Sequence, residues 1–207
     1  MSVPDKSIDP RLLSAAKKVF LKKGFEMASL AEICQTAGVT TGALYKRYSG
    51  KEELFAEVVS GTIGDMETYA SSIKEIDLSK LTDQEIYDGF FMNTEANIRW
   101  LEFLYERKEE VILLIKCAAG TRYSNFHHDW SAVTASLIFR YYQEAKKRGL
   151  TTKEISLTEM NILAATVWTL YYEPFIYDYS WEQMEGHART IHDFIDWHRA
   201  FGMRISD

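Results

Sequence analysis

Cysteine, proline and long apolar runs are all scarce in this chain. Only Cys34 and Cys117 occur in 207 residues, each inside an apolar helical pattern and without a second Cys or a His at metal-ligating spacing. That excludes a disulfide framework and a zinc knuckle, and reads both thiols as reduced core side chains. Prolines number three, at 4, 10 and 174, too few for a Pro-rich or heavily punctuated chain. No uninterrupted apolar stretch approaches the roughly 20 residues of a membrane-crossing helix, and the opening MSVPDKSIDP lacks the basic-then-apolar layout of a secretory leader. The expectation is a cytoplasmic protein with no membrane partner. A glycine-rich phosphate loop, G-x-S-x-G and H-E-x-x-H are also missing, so no catalytic residue, cofactor or metal is expected. An enzyme stands as a rival reading without a motif behind it.

What is present is a soluble globular composition, 46% hydrophobic and 26% charged, in a chain long enough for a small domain beside a larger one. The formal net charge is −6, but it is unevenly spread. Residues 1–51 hold nine Lys/Arg (6, 11, 17, 18, 22, 23, 46, 47, 51) against four acids (5, 9, 26, 32), a net +5, which leaves −11 for the remainder. A basic head on an acidic body offers a polyanion one end of the molecule and repels it from the rest. Taken alone, such a bias is equally an ordinary solvated surface.

Apolar residues recur at helical spacing almost throughout, which predicts an all-α protein. Asp9–Pro10 reads as a helix start, and Leu12, Ala16, Val19 and Phe20 as its buried face, with Gly24 ending a helix over about 10–23. Ser29 and Glu32 have capping-box spacing and open a short second helix ending near Ala37–Gly38. Thr40 or Thr41 caps a third through Tyr48. Lys51 opens a long fourth along Leu54, Phe55, Val58, Ile63, Met66, Tyr69 and Ile73. Further helices are predicted over about 83–105, 107–118, 124–148, 156–178 and 181–203.

Two short helices joined by a tight turn at Gly38 have the form of a helix-turn-helix, whose second helix enters the DNA major groove. Ala37 is small enough for close helix approach, Gly38 allows a left-handed turn, and Val39 plugs the core between the helices. The segment SLAEICQTAGVTTGALYKRYSGKEELF resembles the signature of the tetracycline-repressor (TetR) family, and RLLSAAKKVFLKKGFEMAS resembles that family's first helix. Cys34 departs from the small residue more usual there. The resemblance covers about the first quarter of the chain. It implies a three-helix helix-turn-helix DNA-binding domain over residues 1–51 and a helical ligand-sensing and dimerisation domain over 52–207.

By position in the motif, the resemblance implies a DNA-facing surface of Thr40, Thr41, Gly42, Ala43, Tyr45, Lys46 and Arg47. Residue chemistry agrees. Thr hydroxyls bond phosphates or base edges, Gly42 and Ala43 let backbone approach the groove, and Tyr45 suits a phosphate. Arg47 or Lys46 has the reach to read guanine. Lys51, with the amides of the fourth helix, is expected to hold phosphate, and Ser29 likewise at the second.

All five tryptophans lie in residues 52–207, with rings clustered at Phe90–Phe91, Trp100, Phe103, Tyr105, Tyr141–Tyr142, Trp168, Tyr171–Tyr172 and Phe175. Such rings are ordinary core, or the walls of a ligand cavity. As candidate ligand contacts we take Trp100, Phe103, Tyr141, Trp168, Tyr171, Tyr172 and Phe175. The 156–178 helix is apolar nearly all round and needs cover on two sides. The final helix carries a second stripe of Met184, Ala188, Ile191, Ile195 and His198. The resemblance implies that these last two helices pair with a second copy. Glu173 is either a counter-charge for a cationic ligand or a solvated residue. His127, His128 and Asp129, adjacent on one helix, point too far apart to chelate well.

The expected function is a ligand-responsive regulator, a repressor by family resemblance, that binds double-stranded operator DNA as a homodimer and answers a small apolar or aromatic effector. The alternative is an interaction adaptor that keeps the fold without specific DNA binding.

Overall fold

A computed structural model describes residues 8–89 and 94–204, which are helical throughout, without strands. The chain forms two compact units. One comprises residues up to Met66 together with Arg107–Phe126; the other comprises Glu67–Glu106 and the chain from His127 onward. The unit that holds the helix-turn-helix thus extends well past residue 51.

In the first unit, α1 (Ile8–Met27) buries Leu12, Ala15, Ala16, Val19 and Phe20. Asp9 lies in its first turn instead of capping it. The regular helix stops where predicted, because Gly24 takes φ 74°, ψ 167°, a conformation that costs a side-chain-bearing residue dearly. Helices α2 (Leu30–Ala37) and α3 (Thr41–Tyr45) follow, then α4 (Lys51–Lys74). Although α3 ends early, the chain keeps turning: the N–H groups of Arg47 and Tyr48 both donate to the Leu44 carbonyl, at 2.9 and 3.0 Å. Phe20, Phe25 and Phe55 meet at ring-centroid distances of 5.1 to 6.0 Å. Ile33, Leu44 and Leu54 are fully enclosed around them. Cys34 and Cys117 are buried free thiols in the same core, and burial raises both above the usual thiol range. The predicted 107–118 helix is realised as α7 (Lys108–Ile112) running into a π-helical turn, Leu113–Cys117.

In the second unit, the end of α4 is joined by α5 (Asp83–Asp88), α6 (Thr94–Glu106), α8 (Phe126–Lys147), α9 (Leu157–Ile176), α10 (Trp181–Phe194) and α11 (Trp197–Phe201). The helix predicted over 83–105 is not continuous, since Gly89 caps α5; Phe90 and Phe91 lie outside the described residues. The predicted 181–203 helix is also broken. Ile195 is extended, and the Asp196 side chain accepts the Arg199 N–H at 2.8 Å to start α11. The apolar stripe expected on that helix is not an outer face. Met184, Ala188 and Ile191 are at most 2% exposed within one chain, because α10 packs on α6. His198 is turned inward, stacked on Tyr87 at 3.8 Å with its Nε2 2.9 Å from the Tyr87 carbonyl oxygen. Among the apolar side chains left outside are Leu157 and Ile162 on α9 and Phe194 on α10, at 46%, 62% and 73% exposure.

Candidate nucleic-acid interface and ligand cavity

The turn between α2 and α3 is built from local chemistry. Ser29 caps α2, its hydroxyl oxygen accepting the Glu32 N–H at 3.2 Å. The reciprocal half of the expected capping box does not form, because the Glu32 carboxylate takes Lys23 Nζ at 2.6 Å. Gly38 closes α2 in the left-handed region, φ 65°, ψ 38°, and Val39 N–H returns to the Cys34 carbonyl at 3.0 Å. Thr40 then caps α3, accepting the Ala43 N–H at 3.2 Å. Ala37 is buried and Val39 packs into the core between the helices.

This geometry presents Thr40, Thr41, Gly42, Tyr45 and Lys46 to solvent, with Ala43 half-buried beside them. Tyr45 is 59% exposed, an unusual display for a large ring with no partner needed for folding. Gly42 is informative for a different reason. It has no positive φ, and an added Cβ would meet nothing nearer than Thr40 Oγ1 at 3.9 Å. Nothing within the chain requires glycine there, although glycine costs a helix roughly 0.5–1 kcal/mol relative to alanine.

The other two expected cations are occupied internally. Arg47 is half-buried, its Nε 2.5 Å from Asp9 Oδ1 and its Nη1 donating to the Ala43 carbonyl at 3.2 Å. Lys51 donates to the carbonyls of Glu26 (3.1 Å) and Ala28 (2.9 Å) and lies 4.4 Å from the Phe25 ring centroid. It thereby satisfies orphan carbonyls where α1 ends. The first turn of α4 is acidic instead: Glu52 accepts the Arg122 N–H at 3.0 Å, and Glu53 accepts that of Ser49. The Ser49 backbone bond holds the Glu53 carboxyl below its ordinary range. Arg11, absent from the expected set, places Nη1 4.0 Å from where a Cβ on Gly38 would stand. It is 27 positions from Gly38 in sequence, so no local pattern announces it.

The second unit encloses a cavity of about 210 Å³. Its walls come from Tyr69 and Ile73 of α4, Trp100 of α6, Trp130 and Tyr141 of α8, Trp168 and Tyr171 of α9, and Trp197 of α11. Trp100, Trp130 and Trp168 form a triangle with centroids 6.2 to 6.5 Å apart, and Tyr69 stacks on Trp100 at 5.0 Å. Of the seven expected ligand contacts, Trp100, Tyr141, Trp168 and Tyr171 line the cavity. Phe103 instead stacks behind Trp100 at 5.2 Å. Tyr172 packs on Trp168 and on the His127 ring, and Phe175 is core, 2% exposed. Glu173 is not part of the wall. Burial lowers the His127 pKa, with the neighbouring His128 charge adding to the effect. Among the described residues no group of three His, Cys, Asp or Glu is placed to hold a metal, and no helix is long and apolar enough to cross a membrane.

Residues 12–58, which span α1 to the first turns of α4, match the family described as bacterial regulatory proteins, tetR family. That match takes in the helix-turn-helix and leaves the second unit outside it. Its similarity to curated relatives lies in the same region. It is 35% identical over 48 residues to the HTH-type transcriptional regulator YfiR of Bacillus subtilis, and 40% identical over 48 residues to the HTH-type transcriptional repressor BepR of Brucella suis. Each alignment covers 23% of this chain and 23% of the relative, so the chain spans about a quarter of the length of the curated relatives it matches. The likeness of fold to solved structures runs further. A TerR/AcrR-family transcriptional regulator from Aquifex aeolicus aligns over 90% of this chain and 96% of its own, with a TM-score of 0.58 at 19% identity.

Proposed function

We propose that this protein is a ligand-responsive transcriptional repressor that binds a palindromic operator as a homodimer and is released by a small apolar or aromatic molecule. The observation that carries the reading is the capped α3. It follows a left-handed Gly38 and displays Thr41, Gly42, Tyr45 and Lys46 outward. The glycine there serves no internal need, and its value is room for a close-approaching DNA backbone. The net +5 of residues 1–51 adds the sequence-independent attraction. Repression follows the relative BepR, a repressor in its own organism. The exposed Leu157, Ile162 and Phe194 are apolar positions on α9 and α10 left for a second copy to cover.

Release is carried by α4. Its early residues Leu54, Phe55 and Val59 are core of the helix-turn-helix unit, and its late residues Tyr69, Ala70 and Ile73 line the cavity. An effector displaces DNA to the extent that it binds the DNA-incompetent arrangement better than the competent one. The test is recovery of genomic DNA fragments by the purified protein at moderate salt. Enrichment of one or a few sequences is expected; recovery of no sequence-specific fragment would leave the adaptor reading in its place.

A further inference from the structure

Resting on the sensing role just proposed, we infer that the cavity selects an uncharged, fused bicyclic aromatic carrying one hydrogen-bonding group. Size sets the first bound. Apolar protein cavities of about 150 Å³ admit a single benzene ring. At about 210 Å³, this one has room for a second fused ring. Shape sets the next. The wall includes the aromatic side chains of Trp100, Trp130, Trp168, Tyr69, Tyr141, Tyr171 and Trp197, which reward a π system over a coiled alkyl chain.

Charge sets the last bound. No lining residue is ionised at neutral pH, and an unpaired ion in such surroundings costs far more than a neutral group. Arg140, next to Tyr141 in sequence, is engaged, its guanidinium donating to the carbonyls of Ile73 and Ile76 at 3.4 and 3.1 Å. Arg99 acts on the Tyr69 hydroxyl, and Tyr69 is the exposed lining ring, at 45%. The Arg99 charge acting there makes an anionic ring compound the competitor to test. Polar capacity is small. The Tyr171 hydroxyl already donates to Asn97 Oδ1 at 2.5 Å, and that of Thr134 to the Trp130 carbonyl at 3.1 Å. The phenol of Tyr69 is the neutral group on the wall for one ligand hydroxyl.

The experiment is titration calorimetry of the full chain with phenol, 2-naphthol, 9-phenanthrol, 2-naphthoate and decanoate. We expect 2-naphthol to bind at least tenfold tighter than each of the others, and Ala164→Leu, which fills the cavity from α9, to weaken it at least tenfold. Should that variant not fold, Val167→Phe, from the half-buried side of the wall, takes its place. If 2-naphthoate, decanoate or the tricycle equals or exceeds 2-naphthol and is blocked by the same variant, the ligand class is wrong while the sensing role stands. If no compound binds, both fall.

Discussion

At the scale of single residues, Gly42 separates folding from function most cleanly. Glycine near the start of α3 weakens the helix and fills no tight space. Gly42→Ala is therefore expected to raise stability by about 0.5–1 kcal/mol while weakening operator binding at least tenfold. Urea unfolding and a fluorescence-anisotropy titration measure the two; a variant that is more stable and binds DNA normally would contradict the role given to Gly42. Lys51 is expected to behave oppositely to a simple phosphate clamp. Replacing it with alanine strips a donor from the Glu26 and Ala28 carbonyls, so Lys51→Ala should lose about 1–2 kcal/mol of stability. An unchanged urea midpoint would refute that. Lys46, exposed at the C-terminal cap of α3, is the cation proposed to meet DNA directly. Lys46→Ala should lower the slope of log K against log salt by about 1 per subunit, as read from binding isotherms at several salt concentrations.

At the scale of elements, caps and glycines were legible and tertiary engagements were not. Gly24, Ser29, Gly38 and Thr40 announce the ends of α1, α2 and α3 because cap chemistry is local, and each performs the predicted task. The break at 195–196 left no trace. Ile191, Ile195 and His198 keep helical spacing, and what divides α10 from α11 is the Asp196 cap and the burial of Phe201. The π turn at Leu113–Cys117 likewise has no residue signature. Arg47 and Lys51 read as free cations because Asp9 and the Glu26 and Ala28 carbonyls are dozens of positions away. In the cavity, ring density along the sequence identified Trp100, Tyr141, Trp168 and Tyr171. It could not distinguish a wall from the layer behind it, where Phe103 and Phe175 stand. The start of α4 also sets a pH dependence. The Ser49 bond lowers the Glu53 pKa in the folded chain, so its contribution is complete above the unfolded value and disappears as pH falls through the folded one. The stability difference between wild type and Glu53→Gln should therefore shrink from about pH 6 to pH 3. Thermal unfolding across that range checks it, and a constant difference would contradict it.

At the scale of the whole molecule, the proposed homodimer would bring two recognition helices to DNA as a pair. Their half-sites must then be related by a two-fold axis and separated by about 34–36 Å or a multiple of it. In the proposed dimer the second copy would cover the exposed Leu157, Ile162 and Phe194, since Met184, Ala188 and Ile191 are already used within one chain. The most direct measurement is selection from a random-sequence duplex library by the purified protein, followed by sequencing of the bound fraction. The proposed account predicts enrichment of an inverted repeat with half-sites one or more helical turns apart, lost when Gly42→Ala is used in place of wild type. No enriched sequence, or an isolated half-site without symmetry, would contradict it.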